Sequence, residues 1–133
     1  MNFGVKNNDK TIHFNQVKSI ILVIRGVVKM VWQDNYIIIN DKKIEFKAKI
    51  YKVTSYKMRI FILIGFDMNE QTHCNVYCIN ESGQVTWQIQ PKYKAHKNME
   101  NAFISLKIQD GRYSVTNFYG DEYCFNPFNG KLF

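Results

Sequence analysis

The chain has 133 residues, 46% hydrophobic and 15% aromatic, with seven glycines and two prolines, which excludes a disordered or linker-rich protein. A single domain over residues 1–133 fits this length and would bury roughly two-thirds of its unfolded surface. The net charge of +7 is uneven, since residues 1–60 hold twelve Lys/Arg against four Asp/Glu and residues 61–133 hold six against seven, so any acidic or nucleic-acid partner is expected on the first half.

In chain order, residues 1–10 are polar and form a loose lead-in without the apolar stretch of a signal peptide. Thr11-Ile12-His13-Phe14 can begin a strand, and residues 19–32 read as two strands broken near Arg25-Gly26. That apolar run carries Arg25 and Lys29 and is too short to span a membrane. Residues 36–39 and 43–51 form a hairpin, whose second arm alternates Ile44, Phe46, Ala48 and Ile50 with Glu45, Lys47, Lys49 and Tyr51. A bend at Val53-Thr54-Ser55 leads into residues 56–66, where Met58, Ile60, Ile62 and Ile64 share one face. Phe61 and Leu63 make the other face apolar as well, so the middle of this strand is covered on both sides. Residues 67–72 are a polar loop, residues 75–79 and 84–89 a second hairpin, and residues 90–101 the longest irregular stretch. Residues 103–108, 113–117, 122–125 and 131–133 then form a tight meander with bends at Asp110-Gly111, Tyr119-Gly120-Asp121 and residues 126–130. The predicted fold is an all-β, single-domain antiparallel meander of blade-like hairpins, curled into an open barrel or a sandwich.

A repeated phrase supports this. Tyr77-Cys78-Ile79-Asn80 precedes the turn Glu81-Ser82-Gly83 and a strand ending in Trp87, and Tyr123-Cys124-Phe125-Asn126 precedes Pro127-Phe128-Asn129-Gly130 and Lys131-Leu132-Phe133. The weaker copy Tyr36-Ile37-Ile38-Ile39-Asn40 precedes Asp41-Lys42-Lys43 and Ile44-Glu45-Phe46. Repetition with a period in the forties marks β-modules that cannot bury a face alone, and Trp87 is expected to close its hairpin against the core. The segment from Asn75 to Trp87 resembles the blade motif of pyrroloquinoline-quinone-type β-propellers, and residues 117–132 are similar to it. A closed propeller needs at least about four blades, so the quinoprotein cofactor chemistry is not implied and no cofactor is expected. More closely, residues 44–133 resemble a group of small bacterial cytoplasmic proteins that carry both phrases in this order. That resemblance implies an immunity protein, neutralising a toxin in the producing cell.

No catalytic signature is present: His13, His73 and His96 are scattered, no Ser lies in a nucleophile-elbow frame, and Asp121-Glu122 point to opposite sides of a strand. A non-enzymatic protein is therefore expected, with an uncharacterised enzyme as the remote alternative. His73, Cys74, Cys78 and Cys124 form the one set that could hold zinc, but the two Cys of the repeat are better explained as small buried hydrophobes, so no metal is expected. Three cysteines without an export signal read as reduced thiols in a cytoplasm.

The candidate partner-binding residues are Lys47, Lys49, Lys57 and Arg59, placed on one basic sheet face by pairing residues 43–51 with 56–66, together with Tyr51 and Tyr56. Tyr93 and His96 join them from the long loop. The expected function is occlusion of a protein partner with an acidic surface. The alternative is a β domain binding single-stranded nucleic acid, in which the tyrosines stack on bases.

Overall fold

The computed structural model describes residues 18–23, 27–92 and 98–133, with side chains from Met30 onward, so the expected strand at residues 11–14 lies outside it. Eleven strands in the described residues form three antiparallel sheets, each a meander in chain order. Sheet one contains β1 (Lys18–Val23), β2 (Val27–Gln33), β3 (Tyr36–Ile39) and β4 (Lys42–Glu45). Sheet two contains β5 (Ile50–Tyr56), β6 (Arg59–Ile64), β7 (Val76–Ile79) and β8 (Val85–Gln88). Sheet three contains β9 (Phe103–Gln109), β10 (Arg112–Asn117) and β11 (Glu122–Cys124), and a bridge between Phe125 and Leu132 stands where its fourth strand would begin. The sheets have open outer strands, so none closes into a barrel.

The repeated phrase has a structural meaning: Tyr36, Tyr77 and Tyr123 each lie in the third strand of their sheet. One repeat is thus one sheet. An asparagine immediately before the third strand ties each of the first two sheets to the start of the next. Asn35 donates its Nδ2 to the Phe46 carbonyl at 3.0 Å, and its own carbonyl accepts the Phe46 N–H at 2.8 Å. Asn75, fully buried, donates to the carbonyls of Ile64 at 2.7 Å and Phe103 at 2.8 Å, while its Oδ1 accepts the Phe103 N–H at 2.8 Å. A buried amide is stable only when its hydrogen bonds are made, so Asn75 fits one relative placement of sheets two and three.

Sheet two is covered on both sides. Met30, Ile37 and Ile39 of sheet one pack with Val53, Ile60, Ile62 and Ile64 of sheet two in a first core. Phe61, Leu63, Cys78 and Trp87 pack with Phe103, Leu106, Val115 and Phe125 of sheet three in a second. Strand alternation sorts residues 60–64 between the two cores, as the sequence predicts for this segment. On the far side of sheet three, Lys107, Gln109, Arg112 and Glu122 are exposed, so that face is finished for water.

Two expectations need correction. Residues 43–51 are not one strand: β4 ends at Glu45 and β5 begins at Ile50, and residues 46–49 cross from sheet one to sheet two. Their alternation is real but reflects Phe46 of the connecting segment and Ile50 at the start of β5 both dropping into the first core. Nor does the chain bend at Val53-Thr54-Ser55, because these residues pair in β5 with Ile62, Phe61 and Ile60. The turn is Lys57-Met58, and the register that keeps alternate isoleucines on one face outweighs the turn preference of small polar residues.

Trp87 closes its hairpin as expected. It is 8% exposed, meets the Phe125 ring edge-on at 5.6 Å, and donates Nε1–H to the Pro127 carbonyl at 2.8 Å. Gly130 lies against the indole so closely that an added Cβ would fall 2.5 Å from it, and its φ of +74° suits only glycine. Trp87→Ala should cost about 3–5 kcal/mol of stability. Urea unfolding should show a lower midpoint with m unchanged, and an unmoved midpoint would contradict this packing role.

Candidate functional site

Of the residues singled out from sequence, the six that the structure describes do not form one face. Lys47 and Lys49 lie in the 46–49 connection. Lys47 Nζ is 3.4 Å from the Gln71 carbonyl, beside the 3-10 turn Glu70–Thr72, and the Lys49 carbonyl accepts the Gly65 N–H at 2.7 Å. Tyr51, 67% exposed, lies over Gly65 at the same end. Lys57 and Arg59 sit at the opposite end of β6, and the six residue steps from Arg59 to Gly65 span about 20 Å of strand. The expected four-cation face is therefore split, because residues 46–49 never pair with β6. Tyr56 belongs with the second group: it meets Tyr113 edge-on at 5.9 Å and has Lys57 Nζ 5.4 Å above its ring. Tyr93 and His96 lie outside the described residues.

The Lys57 end opens into a groove at the mouth of the second core, where sheets two and three diverge. A cleft of about 560 Å³ is bounded by Lys57, Arg59, Arg112, Tyr113, Phe128 and Phe133. A second, of about 450 Å³, shares Lys57, Arg59 and Phe128 and continues along Met58, Asn80 and Thr86. The wall between them is a stack, with the Arg59 guanidinium 4.3 Å from the centre of the Phe128 ring. Lys57 and Arg59 border the larger cleft from sheet two, and Arg112, at the start of β10, borders it from sheet three. Cys124 and Glu122 raise the already high pKa of Arg112 further, and its guanidinium is ion-paired with Glu122 at 3.5 Å on the outer face of sheet three. Tyr56, Tyr113, Phe125 and Trp87 form a chain of ring contacts from this rim into the core.

Phe128 is 70% exposed yet held firmly. Its N–H donates to Asn126 Oδ1 at 2.8 Å, the Gly130 N–H donates to the Asn126 carbonyl at 2.8 Å, and Trp87 fixes Pro127. A large ring presented to water by a rigid turn is preorganised for contact. Sequence reading took residues 126–130 for an ordinary bend and missed Phe128, Phe133 and Arg112. The available signal was a phenylalanine in the middle of a Pro-to-Gly turn.

The groove does not resemble a thiol or metal centre. Burial pushes the Cys74 thiol up to about 11 and also raises that of Cys78, so both are protonated at neutral pH. Cys78 is in the second core while Cys124 borders the groove, and no three His, Cys, Asp or Glu among the described residues are grouped to hold a metal. His73 is instead buried edge-on to Phe66, with Nε2 3.2 Å from the Asp67 carbonyl.

The turn that carries Lys57 is under backbone strain. Three two-residue hairpin turns have both central residues at positive φ: Asn40-Asp41, Asp110-Gly111 and Lys57-Met58. The first two use residues suited to it, whereas Lys57 at φ 48° and Met58 at φ 68° are in a left-handed conformation that costs about 1–2 kcal/mol per residue. The double substitution Lys57→Asn, Met58→Gly should therefore raise stability by about 1–2 kcal/mol, read as a higher urea midpoint, because it installs the preferred turn pair. A lower midpoint would show that the two side chains stabilise the fold.

Among the described residues no helix is long and apolar enough to cross a membrane. Compared with curated proteins and with solved structures, the chain has no match in either set. A family model does match, over residues 27–133, which include all of β2 to β11, both cores and the whole groove lining. The chain belongs to the family described as "Domain of unknown function (DUF7957)".

Proposed function

We propose that the protein is a non-enzymatic binding protein that docks an acidic surface of a protein partner on the groove between sheets two and three. The observation that carries this reading is Phe128, an exposed ring on a well-fastened turn, on a rim that holds Lys57 and Arg59 and, paired with Glu122, Arg112. An aromatic anchor with cations around it is the composition of an interface centre. The mechanism is occlusion: rigid sheets carry the rim against the partner and cover it. Neutralisation of a toxin by an immunity protein in the cytoplasm is one use of such a surface, and the resemblance over residues 44–133 supports that use.

Cations interleaved with Tyr56, Phe128 and Phe133 also suit single-stranded nucleic acid. Against that second reading, Arg59 lies over the Phe128 ring and Lys57 over Tyr56, on faces that bases would need for stacking.

The protein retained by the immobilised chain after nuclease treatment would be purified and its association measured with wild type and with Lys57→Glu/Arg112→Glu. Both residues are exposed and Arg112 also loses its exposed ion pair with Glu122, so stability should fall by no more than about 1 kcal/mol per site. The on-rate should fall at least about tenfold and lose much of its salt dependence. Unchanged association would remove the groove from the interface. Retention of oligonucleotide alone, with a steep salt slope, would establish the nucleic-acid reading instead.

A further inference from the structure

The occupant of the groove can be narrowed, on the reading just given, from an acidic protein surface to a particular form of chain. We infer that the groove takes an extended acidic peptide segment, with an aromatic or aliphatic side chain seated in the larger cleft and carboxylates on Arg59 and Lys57.

Three observations converge on this. The rim is recessed rather than flat, with two clefts on either side of one wall, the Arg59–Phe128 stack. An extended chain places every second side chain on the same side, about 7 Å apart, so it can lay one side chain in each cleft and cross the wall between them. A flat acidic surface would rest on Phe128 and leave both clefts unfilled. The larger cleft is floored by apolar rings, Tyr113 and Phe125, which stand 5.9 Å apart and edge-on. An aromatic or aliphatic side chain there extends the ring contacts that already run into the second core. The charged groups sit at the rim, where carboxylates flanking that side chain would meet them while their remaining surface stays in water. Arg59 is central, since it lines both clefts and its guanidinium offers a planar fork to a carboxylate while its face rests on Phe128.

The test uses the full chain and a fluorescein-labelled peptide, Glu-Glu-Phe-Glu-Leu-Glu-Glu, followed by anisotropy. Three controls accompany it: the same peptide with Phe and Leu replaced by Ser, one with every Glu replaced by Lys, and a labelled dodecamer of deoxythymidine. Binding in the micromolar range is expected for the first peptide, at least tenfold weaker for the Ser peptide, and none for the Lys peptide. Phe128→Ala should weaken the first peptide about tenfold, and Arg59→Glu more. Phe128 is largely exposed, so its removal leaves the fold intact, and an unchanged urea midpoint would document that. Equal binding of the Phe/Leu and Ser peptides would overturn the inference while leaving the acidic-surface reading standing. So would failure of every peptide in a protein that still binds its purified partner through Lys57 and Arg112. Tight binding of the deoxythymidine dodecamer with no peptide binding would overturn both.

Discussion

Residues 60–64 of β6 are five consecutive apolar side chains, none more than 5% exposed. Successive residues of a strand point to opposite faces, so such a run can be buried only if both faces of its sheet are covered. Sheets one and three are those covers, and the two cores exist because one strand demands them. Each buried side chain of this size contributes about 1.5–3 kcal/mol relative to exposure. No cover could be removed without returning three or two of these residues to water. Sheet two follows sheet one directly in the layers, because the connection between them, residues 46–49, is too short to reach beyond a neighbouring layer.

The groove is a by-product of the same arrangement. Two twisted sheets enclosing a core must diverge at its ends, and at the Lys57 end the opening is lined by what the local turns happen to place there. Those turns are not neutral. One is held in a left-handed conformation by residues poorly suited to it, and the other projects Phe128 while Asn126, Gly130 and Trp87 lock its backbone. The scaffold is finished and well packed beneath a rim that is neither, which is how a rigid framework usually carries a binding surface.

Much of the fold was legible in the residues. Alternation in β6 foretold burial on both faces, turn chemistry located the meander of sheet three, and the repeated Tyr-Cys phrase marked equivalent strands. Trp87 followed from the repeat. The candidate site was much less legible. Lys47, Lys49, Lys57 and Arg59 alternate along the sequence as though on paired strands, but alternation persists through the connecting segment between Glu45 and Ile50, and it carries no record of which strand is the neighbour. The Lys57-Met58 turn was hidden because it contains neither Gly nor Asn, so propensity placed the bend at Val53-Thr54-Ser55. Arg112 and Phe128 come from the half of the chain with no charge surplus, and only the packing of sheet three on sheet two brings them beside Lys57. Net charge by segment describes the chain, whereas a binding rim is assembled across it.

The Asn75 amide joins sheets two and three through two buried hydrogen bonds to Phe103, with a third to Ile64 of its own sheet, at the opposite end of the second core from the groove. The second core is thus fastened at one end by the protein and left open at the other. Local separation of sheet three would hinge on the fastened end and spread the rim, so amide protons of β9 and β10 should exchange through a partial opening distinct from global unfolding. Anything that bridges Lys57 of sheet two and Arg112 of sheet three would fasten the second end, and by linkage it would slow that opening while leaving exchange in sheet one unaffected. The molecule would then register an occupant as a change in how its layers breathe, without any change in its average structure.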